Sequence, residues 1–191
     1  MLPSRSHWPI VLYDRVYRLC HRLDTPNSEV GSALRIEFRR ARRTLRLTDG
    51  TTIAPGDRIG VLHMNNDRLL ALHVSGLSPM AVGLDFRREL IASLSALAVL
   101  ASRGGRAADA VAFTGTTIFH HGLLPRLGFE RDAVPPAWPY LTAAYQRALL
   151  ALLHPAGAQR LPRLANTRAE RLWLSRGRLL ALYGAPEHAV S

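Results

Sequence analysis

The sequence predicts an α+β fold, a single domain over 1–191 in which one mostly antiparallel sheet is flanked by helices. Three observations predict it. Stretches of period-two hydrophobicity alternate along the chain with stretches at helical spacing, so strands and helices are intermixed. The chain has 191 residues, and domains run to about 100–200 residues. No internal repeat, low-complexity tract or linker divides it.

Residues 1–30 are expected to form an N-terminal helix and connector. Pro9 suits a first turn, and Tyr13, Val16, Tyr17, Cys20 and Leu23 recur at helical spacing over 8–23. Thr25-Pro26-Asn27-Ser28 breaks that helix. Residues 31–134 form the central α+β region. Ala33–Phe38 alternates apolar and polar residues, Thr44–Leu47 alternates again, and Ile59–Met64 reads as a more buried strand. With turns at Asp49-Gly50 and Pro55-Gly56-Asp57, they predict a three-stranded meander carrying arginines on its solvent face. Ser78-Pro79 opens a helix whose apolar face (Phe86, Leu90, Leu94, Leu97, Ala101) runs to Gly104-Gly105. Ala110–Phe113 is a short central strand, His120–Leu127 a short helix ended by Gly128, and Phe129–Arg131 another strand. Residues 135–191 form a C-terminal helix over Trp138–His154 and then a β-hairpin. In that hairpin Arg171–Leu174 and Leu179–Tyr183 flank a turn containing Gly177.

The apolar fraction of 48% and charged fraction of 20% are those of a globular chain. The lone cysteine, Cys20, excludes an internal disulfide and sits where cysteine packs inertly. The N-terminus has no secretion-signal pattern, and the longest uncharged apolar run, Leu90–Ser102, is short of the ~20 residues that span a bilayer. No transmembrane segment and a cytoplasmic location are therefore expected. The net charge is +11 and every basic side chain besides histidine is arginine. Residues 1–48 hold ten arginines against four carboxylates. Such a field attracts phosphates, acidic partners, anionic membranes or nucleic acid. The run Arg39-Arg40-Ala41-Arg42-Arg43 reads first as a solvated basic turn. Aromatic residues are not interleaved with it, which argues against a stacking nucleic-acid surface. Trp138, Trp173 and the tyrosines fall at core periodicities.

Two stretches can carry chemistry. The first is the end of the buried strand, where His63 can serve as acid or base and Asn65 and Asn66 can hydrogen-bond a polar ligand. The alternative is a turn at Asn65-Asn66-Asp67 beside a satisfied histidine. The second follows the central strand, where Thr114, Thr116, Thr117 and His120 precede a helix and can line a phosphate or hydroxyl site. The alternative there is a capped loop, with Thr116 or Thr117 as N-cap. Adjacent His120 and His121 point apart on a helix and make a poor metal pair. The spacing of His63, His73, His120 and His121 encodes no metal site. No zinc-protease, paired-cysteine, nucleophile-elbow or Walker motif occurs. The cofactor, and whether the domain is catalytic, stay open at this point.

The run Asp49–Asn66, with Thr114–His120 and Arg126–Glu130, resembles the bacterial YkoP-like domain. That resemblance implies a role near cell-envelope or polysaccharide-modifying proteins and brings no catalytic residues with it. The element order from residue 33 to residue 134 is similar to the GNAT acyltransferases, with Leu127-Gly128-Phe129-Glu130 where their leucine-glycine-phenylalanine run lies. This resemblance implies a GNAT-like sheet and a small-molecule, acyl-CoA-type transferase or ligand-binding domain. The departure is at Ser75–Gly83, which lacks the arginine of the GNAT pyrophosphate loop and carries Pro79. Two further readings follow: a non-catalytic envelope accessory protein docking through a basic face, and, third, nucleic-acid binding.

Overall fold

A computed structural model of the chain describes residues 15–16, 18–19, 21, 23–25, 28–74, 76–119, 122–153, 162 and 165–184. Most of the expected N-terminal helix, including Cys20, lies outside them; residues 15, 16, 18 and 19 are helical. The strands are β1 (Glu29–Val30), β2 (Leu34–Arg40), β3 (Leu45–Arg46), β4 (Thr52–Ile53), β5 (Arg58–Met64), β6 (Ala112–Thr117), β7 (Glu130–Arg131) and β8 (Glu170–Ser175). The helices are α1 (Asn66–Val74), α2 (Pro79–Ser102), α3 (Leu123–Arg126), α4 (Pro139–Leu153) and α5 (Arg176–Tyr183). The α+β class holds. One six-stranded sheet runs in the order β1-β2-β5-β6-β8-β7, antiparallel throughout except for the central parallel pair β5 and β6. Parallel neighbours need a crossover, and α1 and α2 supply it.

One face of the sheet packs on α2 and α5. Ile36, Leu62, Phe113, Leu172 and Leu174 meet Leu90, Leu94, Leu97, Ala98 and Ala101 of α2 and Leu179 of α5 in one buried core. Gly60 makes this layer possible. It lies opposite Phe38 on one side and Phe113 on the other, and a Cβ there would come within 2.6 Å of the Phe113 ring and 2.9 Å of Ile36 Cδ1. On the second face, the β3–β4 hairpin lays Leu47 and Ile53 over Ile59, Ala112 and Trp173. Asp132, after β7, anchors that cover. Its Oδ2 accepts from Trp173 Nε1 at 2.9 Å and from the Arg43 guanidinium. Burial alone would push the Asp132 carboxyl up, but these donors and Val134 N–H hold it below the usual value. At the far end of β6, Ala143 of α4 closes over Ile118 and Ala169.

Four expectations are corrected. The middle strand of the meander is not in the main sheet: β2 pairs directly with β5 from Leu34↔Met64 to Arg40↔Arg58, and β3 pairs only with β4. Nor are the sheet arginines all solvent-facing, since Arg35 is buried. The C-terminal hairpin is a strand followed by a helix. Buried Ser175 ends β8 and caps α5, its hydroxyl accepting from Arg178 N–H at 2.9 Å. Leu179, Leu180 and Tyr183 then lie at helical spacing against the α2 core. Finally, Trp138 is not a core residue; it is 72% exposed, whereas Trp173 is buried.

Gly60→Ala is expected to lower the free energy of unfolding by about 1–3 kcal/mol, the usual cost of forcing atoms into a packed core, read by denaturant titration. An unchanged midpoint would mean the Phe113 contact does not constrain this strand.

Candidate functional site

The second face of β2 and β5 carries the polar groups. Alternation puts Arg35, Glu37 and Arg39 on that face of β2, opposite His63, Val61 and Ile59 of β5. Arg18, His21, Leu23 and Asp24 lie against them. Arg35, with 8% of its side chain exposed, donates to Leu23 C=O at 2.6 Å and to Asp24 Oδ1 at 2.5 Å. Its other amino group lies 3.4 Å from Asp67 and 3.8 Å from Glu29. Arg18 bridges Asp67 at 2.5 Å and Asp24 at 3.5 Å. One buried guanidinium thus binds the N-terminal segment, β1 and the first turn of α1 to β2.

Glu37 is the second node. Arg39 holds it in a fork, with Nε at 2.8 Å and an amino nitrogen at 2.9 Å. His21 Nδ1 lies 3.2 Å from its Oε2 and His63 Nε2 3.6 Å away, the latter too long for a hydrogen bond. The two imidazoles are 6.2 Å apart between centroids. Burial pushes the Glu37 carboxyl up, but Arg39, His21 and His63 outweigh it and the pKa is lowered. Burial lowers His63 to about 4 despite the upward pull of Glu37; His21 and Arg39 add to the lowering. At neutral pH the site therefore holds a neutral imidazole beside an ionised carboxylate, and the burial that keeps the imidazole neutral outweighs the carboxylate's pull toward the imidazolium.

Beside this node the sheet parts. β5 and β6 pair only over Ile59–Val61 and Ala112–Thr114, and each strand then runs three residues further, to Met64 and Thr117. β5 stays paired to β2 and β6 to β8, so the break opens between the central strands. Gln146 of α4 serves the β6 side, accepting from Ile118 N–H and donating to Thr116 C=O, each at 2.7 Å.

The expected site residues divide accordingly. His63, Thr114 and Thr116 share the second face around the parting. Thr114 is buried and donates to Leu172 C=O at 2.8 Å, so it ties β6 to β8. Thr117 alternates to the opposite face, and its hydroxyl accepts from Phe119 N–H at 3.0 Å. Asn65 clamps the exit of β5: its N–H donates to Ala33 C=O at 2.9 Å and its Nδ2 to Ser32 C=O at 3.0 Å, while its buried Oδ1 has no hydrogen-bond donor among the described residues. Asn66 begins α1, which replaces the expected turn and contains His73. His120 and His121 lie outside the described residues. Sequence reading missed Arg35, Glu37, His21, Arg39 and Gln146. Glu37 had one usable signal, a charge on the side of an alternating strand opposite its core residues.

Among the described residues, no group of three or more His, Cys, Asp or Glu side chains is arranged to hold a metal. No helix among the described residues is long and apolar enough to cross a membrane. The family model for the YkoP domain matches residues 5–183. No curated protein and no solved structure matches the chain.

The depressed His63 pKa makes stability depend on pH. The unfolded imidazole, with an ordinary value of 6.5, takes up a proton before the folded one at about 4. The contribution is therefore complete above about 6.5 and lost as pH falls to about 4, a loss of up to ~3 kcal/mol. Glu37, whose pKa is lowered from 4.5, adds loss in the same direction at lower pH. Denaturant titrations from pH 7 to 4 are expected to show this decline. His63→Gln should flatten most of it above pH 4.5; an equal slope in the variant would place the cause elsewhere.

Proposed function

The chain belongs to the YkoP domain family, and from that premise we propose that it is a small-molecule-binding domain of transferase-like build. Its site lies on the second face of the sheet where β5 and β6 part, with His63 as acid–base group and Glu37 as the residue that orients and supports it. One observation carries the reading. A buried, neutral histidine stands 3.6 Å from an ionised carboxylate at the single place where the central strands separate. A perturbed pKa beside a specific charge partner favours a functional site, and a sheet gap gives a ligand access to both strands. Thr116 and the Asn65 amide oxygen supply further polar groups at the rim.

The acyl-CoA form of this reading draws on the GNAT-like element order, and three local features weigh against it. α1 fills the connection after β5 that a phosphate loop would need. At the start of α2, Pro79 has no N–H and Ala81 N–H already donates to Ser78 Oγ at 3.3 Å, so few donors remain for a pyrophosphate. Gln146 also occupies backbone groups of β6 at the parting. A polar ligand without a nucleotide handle, such as a sugar or an amine, fits these features better. It also agrees with the envelope and polysaccharide company implied by the family resemblance.

The test is titration of isotope-labelled protein with N-acetylglucosamine, glucosamine and acetyl-CoA, followed by amide chemical shifts. One of the two sugars is expected to move signals of residues 61–65 and 114–117, and His63→Gln should weaken that probe about tenfold, the worth of one good hydrogen bond. Shifts that spare both strands would overturn the site. Binding of acetyl-CoA alone, with His63 dependence, would restore the acyl-CoA form over the sugar form.

A further inference from the structure

A second site lies at the opposite end of β5 from His63. Phe38, Arg39, Arg40, Ala41, Arg42, Arg58 and Arg106 line an open groove of about 610 Å³. The Arg39 guanidinium lies on the opposite face with Glu37 and His21. The other arginines come from three separate parts of the chain: the end of β2 and the turn after it, the start of β5, and the loop after α2. The groove is therefore not the linear arginine run. Arg43, a member of that run, turns away to Asp132, and Arg106 enters from more than sixty residues downstream.

Its charges are poorly balanced. Arg39 is held by Glu37, and Arg58 by Asp109 at 2.6 Å. Arg40 donates only to a carbonyl, that of Gly56, at 2.8 Å. Arg42 and Arg106 are exposed and make no hydrogen bond or ion pair with any described residue. One carboxylate, that of Asp109, is thus paired within a group of four arginines, Arg40, Arg42, Arg58 and Arg106. Arg40 and Arg58 also sit directly opposite each other in the β2–β5 register. Like charges in that position destabilise a sheet, and such a local conflict is expected where function demands it.

We propose that this groove binds a compact oligophosphate anion, with Arg42 and Arg106 as the principal free ligands. Guanidinium forks match phosphate oxygens in pairs and remain charged at any physiological pH. The volume lies within the range of small-molecule pockets, about 300–1,000 Å³. A groove concentrates the four charges of Arg40, Arg42, Arg58 and Arg106 on a small ligand, whereas a planar membrane would meet only the rim.

The experiment is calorimetry with inorganic tripolyphosphate at about 0.15 M salt, where long-range attraction is screened beyond roughly 8 Å. The wild-type chain is compared with two charge-matched double variants. Arg42→Ala with Arg106→Ala removes the groove ligands. Arg87→Ala with Arg126→Ala removes two exposed arginines elsewhere. The expected result is binding by wild type, a loss of about tenfold or more in the groove variant, and less than a twofold change in the control. Thermal melting confirms that both variants fold; if the groove variant does not, Arg42→Lys with Arg106→Lys replaces it, and a loss of severalfold is expected because lysine lacks the fork. Equal losses in groove and control variants would overturn the site in favour of net charge. So would no binding by wild type, or binding to phosphatidylglycerol vesicles without binding to tripolyphosphate.

Discussion

Arg35 sets a condition that much of the fold has to meet. Its guanidinium is carried by the second strand onto a face that other elements cover, and an unpaired charge there would cost several kcal/mol. Asp24, Glu29 and Asp67 answer it, with Leu23 C=O filling a further donor. Those partners come from three elements, the N-terminal segment, β1 and α1. The charge therefore does for the polar half of the second face what Leu94 and Leu97 do for the first: it fixes where the neighbouring elements sit. It also consumes the nearby carboxylates, leaving Glu37 to Arg39 and the two histidines.

That division of partners explains how His63 can be both buried and neutral. The positive charge beside it across the β2–β5 ladder is already neutralised, so burial dominates and the imidazole stays unprotonated. On its other side the pairing of β5 with β6 ends after Val61 and Thr114, while β5 stays with β2 and β6 with β8. A strand that loses a neighbour leaves backbone groups needing partners. Gln146 meets two of them with one side-chain amide, and in doing so draws α4 over the end of β6.

The parts of this fold legible in the sequence are those where one local rule acts alone. The helix from Pro79 to Ser102 has its Ser78 cap, a proline in its first turn and an uninterrupted apolar stripe, and the strand from Arg58 to Met64 has its turn before it. Failures fall where tertiary context decides. Thr44–Leu47 alternates as a strand should, but alternation does not say which strand it pairs with, and the hairpin folded over the second face instead. Leu179–Tyr183 is apolar at strand and helix spacing alike, and the buried Ser175 cap decided for helix. Of the site, His63 and Thr116 were visible as polar residues ending apolar strands. Arg35, Glu37 and His21 were not, because their role depends on a segment at 18–24 meeting β2. Nothing in either stretch alone encodes that meeting.

The arginine excess divides in the same way. Composition presents it as one quantity, a field over the first quarter of the chain. In the fold it separates by environment: Arg35 is buried and compensated, Arg39 and Arg43 are locked to Glu37 and Asp132, and Arg42 is left facing a groove that Arg58 and Arg106 enter from elsewhere. Net charge is thus a poor guide to where an anion would bind on this chain. The useful quantity is the number of guanidiniums that converge on one recess after the carboxylates within reach have been spent.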